Sequence, residues 1–379
     1  MRGLRFFIYF LLSAVILFAG CSKTIKYRVQ GEADLTSDEG WRYLRYDENN
    51  TGFVDRHVRI PLEKEWEYKT SAEVNAQILG HRDFILAGDL SGKLYMIGAQ
   101  SGKKLGKMKF KGGFAAAPYL GDPILYFATD IKGSKTGALN YRRGKLMWEA
   151  PGRDFIGQVS LGWGILYTGE IDGRLTAWRA VDGAEVWKKD LEGAVASGCF
   201  LQDTIIYAAT EGGFLYAFDY RTGKELFRGD YGATFQGHIT SDGRSLYLCS
   251  YDSTVFKIDS QNGEVQRKFI AEGSIRCGVA LAGDTLYVCS TSGNLYALDR
   301  NTLRQYFRLD TGSPVMVPPL ITSDKVFVAS LNGILYVIDR FSGENIYEYD
   351  AESPIVSAPL LFNGLVIFSC ENRRVYAIR

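Results

Sequence analysis

A forty-residue pitch constrains this chain more than any bulk property. Each unit opens on a G-x-L-Y-like stretch, and the opening residues are Gly92, Gly137, Gly173, Gly213, Ser253, Gly293, Gly333 and Arg373. The gaps between them are 45, 36, 40, 40, 40, 40 and 40 residues. Five equal gaps in a row mark an internal repeat, and a single supersecondary unit of this size must be stacked against copies of itself.

Every unit carries the same parts. An apolar, strand-like run lies about eight residues before the anchor, as in "LYLCS", "LYVCS" and "VFVAS". A turn pair such as Asp172–Gly173 or Asn332–Gly333 follows, of the kind that joins hairpin strands through primed turns. After the anchor strand comes D-x-x-[TSN]-G, as in Asp219–Gly223, Asp259–Gly263 and Asp339–Gly343. There the aspartate can cap free backbone N–H groups and the glycine can take a positive φ. A further strand ends near Trp148, Trp187, Phe227 or Tyr347. Stretches such as "MVPPLI" and "VSAPLL" precede the first strand, with proline suited to an edge or strand end. Four short strands per roughly forty residues, with no helical period, describe a propeller blade.

The sequence is therefore predicted to be all-β, an eight-bladed β-propeller of four-stranded antiparallel blades. The eighth unit stops at Arg379, directly after its third strand. At the front, "PLEKEWEYK" has no blade before it, and Trp66 stands 26 residues before Gly92, as Trp187 stands 26 before Gly213. Residues 62–68 are thus expected to supply the missing outer strand by pairing with Val375–Ile378, which hides an edge open to association.

The organisation follows: residues 1–20 a signal peptide, 21–40 a lipidated N-terminus and tether, 41–61 a lead-in packed on the ring, and 62–379 the propeller. "MRGLR" is a basic start and "FFIYFLLSAVILF" an apolar run too short to span a bilayer comfortably. "FAGCSK" resembles a bacterial lipobox, with Phe18 in place of the usual leucine. That resemblance implies cleavage before Cys21 and lipidation of it; a plain secretory peptide is the alternative. Ser22 after the cysteine implies the outer membrane. The segment 22–60 before the ring, about forty residues, would reach on the order of 100 Å if extended. The remaining cysteines, Cys199, Cys249, Cys277, Cys289 and Cys370, form no CxxC. They read as buried small hydrophobes, with an envelope disulfide as the other possibility.

Charge excludes one class of partner. Lys+Arg number 44 against 43 Asp+Glu, so the basic excess of a nucleic-acid binder is missing. His57, His81 and His238 have no metal spacing, and Asp47, Glu48, Asn49 and Asn50 match no calcium loop and read as a solvated turn. No nucleophile elbow or P-loop occurs.

Candidate contact residues are the exceptions to the repeat, in the connections between blades: Arg153, Phe155, Phe235, Gln236, Arg276 and Met316. Gln236, Arg276 and Met316 share one repeat position, seventeen residues before the anchor, with Ala196 and Val356. Exposed aromatics and arginines suit interface anchors. Phe155 and Phe235 read equally as wedges between blades. Arg276 reads either as a contact or as a local partner of Glu272 or a loop carbonyl.

The blades "GFLYAFDYRTGKELF" and "GRLTAWRAVDGAEVW", with the lead-in "WRYLRYDENNTG", resemble pyrroloquinoline-quinone (PQQ) repeats over roughly residues 41–379. Within that superfamily the chain is similar to the BamB family of outer-membrane assembly lipoproteins: signal, lipid-bearing cysteine, short tether and eight compact units. The resemblance implies a non-catalytic, periplasm-facing scaffold without cofactor. Its partners would be the POTRA modules of an Omp85-type barrel and unfolded outer-membrane proteins, with a lipid anchor in the membrane. Two alternatives stand beside it. One is a periplasmic PQQ-repeat lipoprotein that binds another protein or a polysaccharide. The other is a quinoprotein oxidoreductase, a branch that uses a vicinal cysteine pair absent from this sequence.

Overall fold

The computed structural model describes residues 40–41, 45–130, 133–155 and 157–379. The signal segment and Cys21 lie outside the described residues. Among the described residues, eight sheets are arranged as blades, six of four strands and two of five, antiparallel throughout except where Phe53–Val54 joins. Blade 3 is representative: Ser160–Gly162, Ile165–Gly169, Arg174–Arg179 and Glu185–Asp190 run from the innermost strand to the outermost. Below, these four places in each blade are called A, B, C and D.

The ring closes by a shared blade. Lys64–Lys69 pairs antiparallel with Arg374–Ile378 and takes place D of blade 8, with Trp66 opposite Ala377 and Tyr68 opposite Val375. Backbone bonds between Glu63 and Arg379 in both directions extend the pairing to the last residue. The observed strand begins two residues later than the expected stretch.

Alternation of burial follows from the blade geometry. Strands B and C are sandwiched between neighbouring blades and are buried almost throughout, while strand D alternates, as in Asn345–Asp350. The turn aspartates cap as their spacing suggested. Asp219 Oδ1 accepts from Thr222 N at 2.8 Å, Asp299 Oδ1 from Thr302 N at 2.7 Å and Asp339 Oδ1 from Ser342 N at 2.8 Å. The glycine that ends several of these turns has a second duty. An added Cβ at Gly183 would meet the Trp148 ring at 2.5 Å, and one at Gly223 the Trp187 ring at 2.7 Å. The D-strand aromatic of one blade lies flat on the glycine of the next.

Blades are also tied by hydroxyls. Tyr167, Tyr207, Tyr247 and Tyr287, one per blade on strand B, donate to the carbonyls of Tyr220, Ser260, Arg300 and Arg340. Each bond spans 53 residues, one blade onward. These tyrosines are fully buried, so the bond removes the cost of an unpaired hydroxyl in the core.

The lead-in runs inside the ring. Phe53–Val54 pairs in parallel with Leu320–Thr322, the innermost strand of blade 7, and Gly40–Trp41 pairs with the innermost strand of blade 1. Asn49 O accepts from Ser241 N, Thr51 O from Leu281 N and Gly52 O from Ile321 N, at 3.1, 2.8 and 2.9 Å. Residues 241, 281 and 321 are forty apart. The segment thus steps from blade 5 to blade 7 along inner edges whose backbone groups need partners.

Candidate functional site

Two faces of the ring can be told apart by their turns. The A–B and C–D turns share one face. The B–C turns and the D-to-A connections between blades share the other, as the bridge between Phe155 and Glu170 shows.

All six sequence candidates sit in D-to-A connections. Phe155 and Phe235 are each 1% exposed and pack between blades, so they act as wedges and do not present their rings to a partner. They belong to a ring of eight: Val74, Phe114, Phe155, Val195, Phe235, Ile275, Val315 and Ile355 are all buried at the same repeat position. Arg153 is exposed and lies 3.6 Å from Asp172. Gln236 donates to Glu211 Oε1 at 3.0 Å. Arg276 does not pair with Glu272, which holds Arg308 instead. Its guanidinium stacks 4.9 Å from the Tyr251 ring centroid and donates to the Tyr251 hydroxyl. Met316 is half-buried. Arg153, Gln236, Arg276 and Met316 therefore stud the rim of one face, one per blade.

The opposite end of the axis holds a cavity of about 600 Å³. Its walls are the lead-in residues Asp47–Asn50 and the inner strands and A–B turns of blades 2 to 5. Asn50, buried, donates to Ile239 O at 2.9 Å and to Gln158 Oε1 at 3.3 Å. Asp47 caps its own turn, accepting from Asn49 N and Thr51 N at 3.0 Å each. Burial pushes its carboxyl up, against the pull of the Thr51 bonds. At the mouth, Trp163 is 70% exposed and donates its indole N–H to Asp203 O at 3.0 Å.

Behind the lead-in, Arg45 is fully buried and donates to Pro319 O. Burial lowers its guanidinium to about 10. His238, also buried, is lowered to about 3, by burial first and then by Arg45, with a hydrogen bond to the Val279 backbone opposing. The five described cysteines are buried and free, and burial pushes their thiols up. Among the described residues, no three His, Cys, Asp or Glu side chains come together as metal ligands.

The sequence match covers nearly the whole ring. The family described as outer membrane protein assembly factor BamB matches residues 57–269, 267–335 and 317–379. The chain belongs to this family. Among curated proteins none matches. The structure of BamB from Moraxella catarrhalis is similar, at 16% identity and a TM-score of 0.70, covering 84% of this chain and all (100%) of that one. So is a europium-containing methanol dehydrogenase, at 10% identity, a TM-score of 0.74, and coverage of 88% and 90%. A quinohemoprotein alcohol dehydrogenase from Comamonas testosteroni aligns at 12% identity and a TM-score of 0.75, covering 89% of this chain and 80% of that one. At such identities the structural likeness speaks for the fold, which hosts both binding proteins and enzymes.

The strap inside the ring and the cavity beside it were not visible in the sequence. One signal could have found the mouth: Gly162-Trp163-Gly164 puts tryptophan in a turn where blade 4 has Asp203 and blade 8 Asn363.

Proposed function

We propose that this protein is a non-catalytic scaffold lipoprotein of outer-membrane β-barrel assembly. It is anchored by Cys21 in the outer membrane, faces the periplasm and docks on the POTRA modules of an Omp85-type barrel. The observation that carries this reading is the family match over residues 57–379. Compact blades support it, since near-minimal turns leave no inserted loop to build a catalytic floor. The studded rim of Arg153, Gln236, Arg276 and Met316 is the proposed contact surface, with Phe155 and Phe235 holding its loops from beneath.

The cavity chemistry argues against a quinone. A PQQ-type cofactor is a tricarboxylate, whereas Asp47, Glu48 and Asp203 line the axial cavity and no lysine or arginine does so among the described residues. Like charges brought together in a confined site repel.

Mixing the purified lipoprotein with a purified full-length POTRA-bearing barrel tests the proposal. A stable complex on size exclusion, weakened by Arg276→Glu, is expected. No complex at about 10 μM of each partner contradicts it.

A further inference from the structure

The axial cavity plays no part in the scaffold reading. The geometry points to it as a binding site for the end of an uncharged oligosaccharide, with Trp163 as the stacking platform.

Trp163 stands where a side chain of its size is rarely placed. It occupies the A–B turn with φ 54°, the position of Asp203 (φ 53°), Asn363 (φ 51°) and, as the other large side chain, Arg82 (φ 57°), which is tied to Asp122. Aspartate and asparagine tolerate the left-handed region, whereas a bulky residue there is an outlier that points to a role. The ring is 70% exposed, so burial does not offset the strain. It is nevertheless fixed: the indole bonds across to Asp203 O in blade 4, and the Tyr220 ring lies 6.1 Å away. A rigid aromatic surface is thereby held at the mouth of a cavity.

The walls match a polyhydroxy ligand. Asn49, Glu48 and Asp203 offer amide and carboxylate groups that can engage adjacent hydroxyls in pairs, the Gln202 amide is held by Gly243 O and Ser241, and Tyr119 adds a second aromatic. A sugar ring presents a C–H face to an aromatic and hydroxyls at its edge, which is the division this site offers. Among the described residues of the lining there is no lysine or arginine, which disfavours uronate, sulfate or phosphate groups. The volume of about 600 Å³ lies in the range of small-ligand sites. The opening lies at the end of the ring axis, so a chain end can enter while the rest runs outward. This site is independent of the POTRA contact, which is assigned to the other face.

Calorimetric titration of the full-length protein with cellotriose and with N-acetylchitotriose tests the inference. Saturable binding of at least one trisaccharide is expected, with Kd on the order of 0.1–1 mM. Trp163→Asn, which keeps the turn as blade 8 has it, should weaken binding about tenfold, a change of about 1.4 kcal/mol. Trp163→Phe should retain most of it, and Leu226→Ala, on an outer strand, all of it. Thermal melts of the variants exclude unfolding as the cause. The inference is overturned if neither trisaccharide binds at about 10 mM, if Trp163→Asn binds as tightly as the parent, or if triarginine binds and the sugars do not.

Discussion

Trp66 donates its indole N–H to the carbonyl of Ala99 at 2.7 Å. The first residue lies on the strand that completes blade 8, the second in blade 1. The joint between the two ends of the ring is thus made like the ordinary joints, where Trp148 bonds Ala180 O at 2.8 Å and Trp187 bonds Tyr220 O at 3.0 Å. Trp66 also lies on Gly102, where a Cβ would meet its ring at 2.7 Å.

Trp66→Ala removes a buried aromatic and the closing bond together. A loss of about 3–5 kcal/mol is expected from urea unfolding. Trp66→Phe keeps most of the packing and loses the hydrogen bond, for about 1 kcal/mol. Equal stability of Trp66→Ala and the parent would show that the ring does not depend on this joint.

Gly52 holds the strap in the channel. Its φ is 68°, and a Cβ there would stand 2.0 Å from Arg45 Nη2. That atom is already committed to Pro319 O in a buried site, so it has nowhere to go. Gly52→Ala should release residues 45–54 from the inner strands. Hydrogen exchange at Leu281 and Ile321, whose N–H groups the strap accepts, should quicken strongly while outer strands stay protected.

His238 should make stability fall in acid. Its folded-state pKa is about 3 against an unfolded value of 6.5. Between those values the unfolded chain binds a proton that the folded chain does not. Stability from this group is therefore complete above about pH 6.5 and declines as pH falls toward 3, by up to about 1.4 kcal/mol per pH unit. His238→Gln should flatten the pH dependence of the urea midpoint between pH 6 and 4 relative to the parent. Superimposable slopes would mean that His238 is protonated in the fold.

Trp163→Asn should raise stability slightly, by up to about 1 kcal/mol, because asparagine fits the positive φ and little buried area is lost. A thermal melt reads this directly. A marked loss would assign Trp163 a structural duty in place of a ligand-binding one.

Much of the architecture was legible because blades repeat. The pitch set the number of blades, and the distance from Trp66 to Gly92 placed the closing strand to within two residues. Phe155 and Phe235 stayed ambiguous alone. Their place in an eightfold series of buried apolar residues, from Val74 to Ile355, decides them as wedges. The strap had no such copies. Asn49, Thr51 and Gly52 are held by backbone bonds to residues nearly 200 or more positions away, and no local pattern encodes those. The Arg276–Tyr251 stack was missed for a related reason, since the partner sits in the neighbouring B–C turn, not on the same loop.

The central claim is that this ring is a docking scaffold of barrel assembly. Mild crosslinking in native envelopes, followed by purification of the protein and identification of what is attached, tests it most directly. The account predicts a POTRA-bearing Omp85-type barrel as the principal partner, reduced in Arg276→Glu. Recovery of other envelope proteins without any such barrel would contradict it.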